Sequence, residues 1–400
     1  MAQKIIFLNR FFAPDHSATS QLLTDLAFDL AEQGALVHVI SSRLRYDDPL
    51  ACLPRNETLD GVQVTRVWTS RFGRYSLPGR AMDSLTFHLG AALHLFRLAK
   101  RGDWVVVKTD PPLLSVTLWP VIRLRRANFL TWNQDLFPEV AVALGVRGWG
   151  TGMLRWLRNR SLQHATCNVV LGQRMAAHLR AEGIPDERLR IIHNWSDGQA
   201  ITPIAAEDNP LRQTWDLVGR FVVGYSGNLG RAHEVDTLLD AAEQLKHRSD
   251  ICFLFIGGGA GQNYLTAQIA ARQLTNITLK PYQPRVNLAY SLSLPDLHWI
   301  SLWPRLEGLI VPSKFYGIAA AGRATLYIGD AQGEIPTLLQ SGGCGVTCAI
   351  GDGQGVARQI AAWADDRAAC HQLGQAARRL FLERFDRPIA LAAWRDLLRV

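Results

Sequence analysis

Two α/β units, each a doubly wound parallel sheet, are what these 400 residues predict. Three observations carry that reading. Short buried-strand runs alternate with helical apolar spacing in both halves of the chain. The stretch 196–219 breaks this rhythm. The rhythm then restarts and continues to the end. The length suits two to three domains. An apolar content of 48% with 9% aromatics is ordinary for a globular chain and excludes disorder.

The elements follow in order. Lys4 to Asn9 reads as a buried strand, and the loop Arg10 to His16 follows it. Ser17 to Gln33 is helical, with Leu22, Leu23, Leu26 and Leu30 on one face and Gly34 as the stop. Ala35 to Ser41 and Val62 to Val67 are strands. Pro78 to Lys100 is a long helix whose apolar face is expected at Met82, Leu85, Leu89, Leu93 and Phe96. Trp104–Val107, Asn128–Trp132, Asn168–Leu171 and Leu189–Ile192 complete the first strand series, with helices between. Ser196 to Gly219, with Pro203, Asn209 and Pro210, reads as the linker. The second series comprises strands Phe221–Tyr225 and Ile251–Ile256 with helices Val235–His247 and Tyr264–Leu274. Strands near Leu297, Thr325 and Val346 follow. Helices Gly355–Ala364, Arg367–Glu383 and Arg387–Arg399 close the chain. Sheets of this kind bind ligands at the carboxyl ends of their strands, and two of them leave a cleft between.

The six cysteines are scattered and show no pair of pairs at metal-ligand spacing, which reads as reduced cytosolic thiols. Met1 to Lys4 leads straight into Ile5-Ile-Phe-Leu8, too short for a secretory signal. The longest apolar run, Pro111 to Ile122, is about 12 residues against the roughly 20 needed to span a bilayer. Charge is unevenly placed. Residues 1–195 carry 24 Lys and Arg against 16 Asp and Glu, whereas 196–400 carry 19 against 19. The first half therefore holds the whole net charge of +8. That asymmetry fits an anionic partner, whether nucleic acid, phosphate-bearing substrate or membrane, or else a surface that is merely arginine-rich.

Chemistry concentrates in two stretches of the second half. Pro312 suits a first helical position and Gly322 the position past the end, so a short helix is expected from Pro312 to Ala321. Ser313 and Lys314 at its start are either a phosphate seat or an ordinary capped turn. Glu307, just upstream, is placed to accept sugar hydroxyls. Gly224-Tyr-Ser-Gly-Asn-Leu-Gly-Arg-Ala-His233 is a strand, a glycine-rich turn and a helix start. Gly227 and Asn228 there let a diphosphate approach the backbone, and Arg231 supplies a fixed fork of charge. The same pattern fits a dinucleotide fold, but no G-x-G-x-x-G follows either opening strand. Gly257, in Gly257-Gly-Gly-Ala-Gly261, adds a weaker phosphate signal or a flexible turn.

Taken in order, Phe11-Phe-Ala-Pro-Asp-His-Ser-Ala18, Trp132-Asn-Gln-Asp-Leu-Phe-Pro-Glu139, Ile191-Ile-His-Asn-Trp195, Tyr225 to Arg231 and Glu307 to Gly322 resemble bacterial glycosyltransferases of the family 4 type. The similar group builds exopolysaccharide, colanic acid and O-antigen, and the resemblance covers nearly the whole chain. It implies the GT-B fold: 1–195 holding the acceptor, 220–386 holding a nucleotide-sugar donor, and a last helix, 387–400, crossing back to the first domain. It implies a metal-independent and retaining transfer, with no cofactor beyond the nucleotide-sugar co-substrate. The diphosphate clamp maps onto Arg231 and Lys314, which stabilise charge growing on the leaving diphosphate. No Asp-x-Asp of the metal-dependent kind is present.

Ser17 takes a small-residue position facing the phosphates, and Glu307 is the acidic residue near the donor sugar. One departure is plain. Where such enzymes carry two glutamates eight residues apart, this chain has Leu309 and Gly317, so the ribose contact is unassigned. On the acceptor side stand His16, or a loop histidine without a task, and Asp135, either a base for the acceptor hydroxyl or the N-cap of the next turn. In retaining enzymes the donor phosphate is itself an alternative base. Arginines and aromatics in Arg71–Arg80 and Leu154–Arg160 fit anionic lipid headgroups and a polyprenyl-diphosphate acceptor at the inner face of the cytoplasmic membrane. Nucleic acid is the lesser alternative, as no recognised binding module is present. A nucleotide-sugar 2-epimerase and a non-catalytic scaffold remain as rival readings.

Overall fold

The computed structural model describes residues 3–46, 48, 50–73, 77–146, 148 and 150–400. These form two compact units: 1–193 with 390–400, and 194–389.

The first unit runs β1 (Lys4–Leu8), α1 (Ala18–Glu32), β2 (Leu36–Ser42), β3 (Asn56–Leu59), β4 (Val62–Val67) and α2 (Leu77–Leu98). It continues through β5 (Trp104–Lys108), α3 (Leu114–Arg125), β6 (Asn128–Trp132), α4 (Glu139–Ala143), α5 (Thr151–His164), β7 (Cys167–Val170), α6 (Gln173–Ala181) and β8 (Leu189–Ile191). The sheet order is β3-β4-β2-β1-β5-β6-β7-β8, and only the β3–β4 pair is antiparallel. Chain order reverses at β1, between β2 and β5, which makes the carboxyl end of β1 a topological switch point. Ile6, Leu8, Val105 and Val107 pack against Phe87, Ala91, Leu95 and Leu118.

Helix α2 departs from expectation. Met82, Leu85, Leu89, Leu93 and Phe96 face solvent, while Asp83, Phe87, Ala91 and Leu95 face the core. The cause is close packing. A methyl group on Gly90 would sit 3.0 Å from Val67 Cβ on β4, so the smaller-residue side of the helix lies against the sheet.

The second unit contains α7 (Pro210–Thr214), β9 (Phe221–Asn228), α8 (Asp236–Gln244), β10 (Ile251–Gly258), α9 (Gln262–Ala271), β11 (Ile277–Lys280), α10 (Leu288–Ser293) and β12 (Leu297–Ser301). Then come α11 (Lys314–Ala320), β13 (Ala324–Ile328), α12 (Glu334–Gly342), β14 (Gly345–Cys348), α13 (Gly353–Asp365) and α14 (Arg367–Arg384); α15 (Arg387–Leu398) follows, with only its first three residues in this unit. All six strands are parallel, in the order β11-β10-β9-β12-β13-β14, and the switch point is β9. Tyr225, Phe255, Trp299 and Leu326 form the core with α8 and α13.

The stretch 196–219 is folded rather than a bare linker. Asn209 caps α7 by accepting from Leu211 N at 3.1 Å. Arg212 is buried, donating to Leu294 O and pairing with Asp296 at 2.7 Å. From Ala390 onward α15 belongs to the first unit: Trp394 packs 4.6 Å from Trp132, and Arg395 pairs with Asp29 at 2.6 Å. All six cysteines are free.

Candidate functional site

In the second unit the site lies at the switch point. The ends of β9 and β10 run side by side with Gly227 opposite Gly257 and Gly258 opposite Asn228. Only glycine fits the centre of this pinch. Gly257 has φ of 131°, and a Cβ there would lie 2.3 Å from Gly227 O. Around it opens a cavity of about 530 Å³ lined by Tyr225, Gly227, Phe255, Gly257, Gln262 and Tyr282 among others.

Lys314, the first residue of α11, lies against Gly227 and Tyr225, two residues of that lining. Its Nζ donates to Asn228 O at 3.1 Å and meets His233 Nε2 at 3.3 Å, 5.0 Å above the Tyr225 ring centre. Its stem lies against Gly227, where an added Cβ would be 3.1 Å from Lys314 Cε. Burial lowers the ammonium from 10.5 to about 8.

His233 was not singled out by sequence reasoning, although it closes the glycine-rich motif. Its Nδ1 is 2.8 Å from Ser301 O, an atom that only accepts, so Nδ1 carries the proton and Nε2 offers its lone pair to Lys314. Burial, then the Lys314 charge, lowers His233 to about 4, which keeps the ring neutral. The sequence offered no signal for this role, because it depends on where the Ser301 carbonyl points.

Arg231 lies exposed in the same loop, two residues before His233. Ser313 is exposed and makes no capping bond with its side chain. The helix begins at Lys314 rather than Pro312 and holds only seven residues, because Ser313 takes the N-cap position. Glu307 is tied inside its own unit. One oxygen accepts Tyr327 OH at 2.5 Å, the other accepts Glu334 N at 3.2 Å, and burial raises its pKa. It thus joins the loop after β12 to the start of α12. The structure brings Lys314, Gly227, Asn228 and Gly257 together.

In the first unit, the candidates follow the carboxyl ends of β1 and β6, the two strands that flank β5. His16 and Ser17 come after β1. His16 is exposed, and Ser17 begins α1 with its N–H held by Asp15 Oδ1 at 2.8 Å. Asp15, buried and overlooked in the sequence, also accepts the Tyr46 N–H and so fixes this loop. Asp135 comes after β6. It does not cap α4, whose N-cap is Pro138. The residue as a whole is exposed, but protein atoms crowd its carboxyl. That crowding, with the like charge of Asp110, raises it from 3.8 to about 6.

Among the described residues, Glu139, His178 and Glu182 bring possible metal-ligand atoms within 4.8 Å of one another. Glu139 is already paired with Arg158, and Glu182 accepts from Asn159 at 2.6 Å and faces Arg155. The cluster is therefore charge-compensated without an ion.

The family profile "Glycosyl transferase 4-like domain" matches residues 19–195, and "Glycosyl transferases group 1" matches 210–380. The chain is 30% identical over 267 residues to "Probable glycosyltransferase WbjE" of Pseudomonas aeruginosa, covering 66% of each chain. It is 26% identical to "Putative colanic acid biosynthesis glycosyl transferase WcaI" of Escherichia coli K12, covering 64% of this chain and 65% of that protein. These matches thus span about two thirds of the relatives' length.

In fold it is similar to sucrose-phosphate synthase of Thermosynechococcus elongatus, with TM-score 0.80, 16% identity, and coverage of 99% and 98%. It is also similar to HepE of Anabaena in complex with UDP-glucose, with TM-score 0.74, 14% identity, and coverage of 99% for each. Two parallel sheets with a glycine-pinched switch point, matched by two successive profiles over most of the chain, place this protein in the nucleotide-sugar-dependent glycosyltransferases of the family 4 type, with the GT-B fold.

Proposed function

We propose that this protein moves a sugar from a nucleotide-diphosphate donor onto a polyprenyl-diphosphate-linked saccharide during bacterial exopolysaccharide or lipopolysaccharide assembly. The transfer retains anomeric configuration, needs no metal, and takes place at the inner face of the cytoplasmic membrane. The carrying observation is Lys314, anchored by Asn228 O and His233 Nε2 beside a glycine-walled cavity. A cation so placed, with Arg231 on the same loop, is suited to neutralising charge on a departing diphosphate. That role gives the site its Lewis-acid equivalent in fixed side chains.

In this reading Gly227, Asn228, Gly257 and Ser313 border the donor phosphates. Glu307 positions the loop over the donor sugar. Ser17 belongs with the donor-phosphate residues, and His16 and Asp135 with the acceptor side, Asp135 being the base for its hydroxyl. HepE holding UDP-glucose supports a nucleotide-sugar donor, and the name of WcaI supports a polysaccharide role. The basic first half supports an anionic membrane as partner, with no nucleic acid.

The test is a thermal-shift panel of UDP, GDP, TDP and CMP on wild type and on the double variant Lys314→Ala with Arg231→Ala. One nucleoside diphosphate is expected to raise the wild-type melting temperature and to have no effect on the variant. If no nucleotide shifts the wild type, or the variant responds equally, the donor assignment fails.

A further inference from the structure

Helix α11 holds seven residues with Lys314 first, too few for a helix to keep its own place. At the near end no side chain caps it. The turn bonds there, Phe315 N to Pro312 O and Tyr316 N to Ser313 O, are both 3.3 Å. The far end is held more closely. The carbonyls of Gly317, Ala319 and Ile318 accept the N–H groups of Ala321, Gly322 and Arg323 in turn. The Ala320 carbonyl, one of those a helix leaves open at its end, accepts Arg378 Nη1 at 2.5 Å.

Arg378 lies on α14 and bonds two more carbonyls. Nη1 also donates to Ile201 O at 2.9 Å, and Nη2 donates to Gly198 O at 3.0 Å. Both belong to the stretch by which the chain enters this unit, which begins at Asn194. That stretch is paired with the one by which the chain leaves. Ser196 and Asp386 form a parallel bridge, Gly198 N donates to Asp386 Oδ1 at 2.9 Å, and Arg387 pairs with Asp197 at 2.8 Å. One guanidinium therefore joins the helix that carries Lys314 to both chain connections.

The packing around it leaves little slack. Gly374, one turn before Arg378, faces the end of α11, where an added Cβ would lie 2.3 Å from Gly322 O. The Phe385 ring centre is 5.9 Å from that of Phe315 and 5.2 Å from that of Tyr316. A Cβ on Gly198 would lie 2.8 Å from Phe381 and from the Asp386 carboxylate. Six helical steps span about 9 Å, so a tilt of about 6° at the Ala320 end moves Lys314 by about 1 Å. A displacement of that size spoils a preorganised contact.

We propose that Arg378 is a positioning residue for the donor site. It seats the far end of α11 on the chain connections and so sets where the Lys314 ammonium meets the diphosphate. A disturbance of either connection is then felt at Lys314. This rests on the diphosphate role given to Lys314 above and adds what fixes its place. Among the described residues, His233 and Tyr225 are the titratable groups that meet this ammonium. Burial lowers His233 to about 4 and raises Tyr225, so each keeps one charge state near pH 8.5, and proton uptake there reports on Lys314.

The purified full chain is titrated calorimetrically with UDP, GDP and TDP in turn at pH 8.5, in two buffers of different ionisation enthalpy. The temperature is one at which scanning calorimetry shows the variants folded. Wild type is expected to bind one of the three with proton uptake, as the ammonium forms against the diphosphate. In Arg378→Met the lysine can turn to water and hold its proton beforehand, so uptake is expected to fall by about half or more. Affinity is expected to weaken about tenfold, the usual loss of a hydrogen bond to a charged group. Gly198→Ala, which presses the entering stretch against Phe381, is expected to shift both in the same direction by less. Ile360→Ala deletes a fully buried side chain from α13, away from α11. It is expected to lower the melting temperature and keep wild-type uptake and affinity.

Wild-type uptake and affinity in Arg378→Met overturn the proposal and leave the donor site standing. Equal losses in Ile360→Ala overturn it too, because loosening anywhere in the unit would then do the same. Wild-type values in Gly198→Ala overturn the link to the connections, and they decide alone if Arg378→Met does not fold. A wild type that binds none of the three nucleotides overturns the donor reading and this proposal together.

Discussion

Two lysines, one in each unit, lie against aromatic rings, and their difference shows what makes a cation useful. Lys108, at the end of β5, is fully buried with Nζ 3.3 Å from the Trp132 ring centre and no hydrogen-bond acceptor. Burial depresses its pKa far below 10.5, with Asp110 opposing. Trp394 packs on Trp132 in turn, so this arrangement is part of a core. Lys314 is only half-buried, has two acceptors, and lies against Gly227 and Tyr225 of the cavity wall. Burial is the main perturbation of both lysines. Acceptors that aim the ammonium, and solvent access for a ligand, distinguish the site from the core.

The sharpest way to break this contrast is to remove each amine. Lys314→Ala is expected to lower transfer roughly a hundred- to thousandfold, the usual cost of losing one preorganised group that stabilises developing charge. Its melting temperature should change little, as read by parallel scanning calorimetry. Asp135→Asn comes next. A base must be unprotonated, so wild-type transfer is expected to fall as pH drops through about 6, the raised Asp135 value. The variant should be slower by about a hundredfold and lack that acidic limb in a pH–rate profile.

Lys108→Met should leave nucleotide binding untouched and change stability by about 1–4 kcal/mol in the stabilising direction, since it replaces an unpaired buried amine with a similar apolar volume. Denaturant unfolding reads this. A destabilised Lys108→Met that also loses donor binding would erase the distinction. His233→Ala should have the smallest effect. Losing one of two acceptors for Lys314 costs about 0.5–1.5 kcal/mol, a few-fold in nucleotide affinity by calorimetry.

The same contrast governs what the sequence made legible. The strand–helix rhythm, the restart at β9 and the glycine-rich turn after it are local patterns that periodicity and turn chemistry reach, whereas Lys314 is the first residue of its helix rather than the third. β3, Asn-Glu-Thr-Leu, escaped notice because it is a short, largely polar edge strand paired only with β4. The orientation of α2 was misread because both faces are apolar. Spacing selected the larger side chains, while packing selected Gly90 and Ala91 for closeness to β4. His233 and Asp15 act through backbone groups whose directions exist only after folding. Glu307 was legible as an acid at the site, but not as the link between Tyr327 and α12.

Lys314 also ties the contrast to pH. Its folded value of about 8 lies below the unfolded value near 10.4, so the unfolded chain binds more protons between them and stability rises with pH across that window. A bound diphosphate reverses the preference by favouring the charged ammonium. The most direct measurement is therefore isothermal titration of the stabilising nucleoside diphosphate at pH 8.5, in two buffers of different ionisation enthalpy. The phosphates are fully ionised there, since their second pKa is about 6. Wild type is expected to take up a large fraction of a proton on binding, with affinity falling above pH 8, and Lys314→Met to take up none and bind weakly. Equal affinity in both proteins, with no proton uptake in either, would contradict the role given to Lys314.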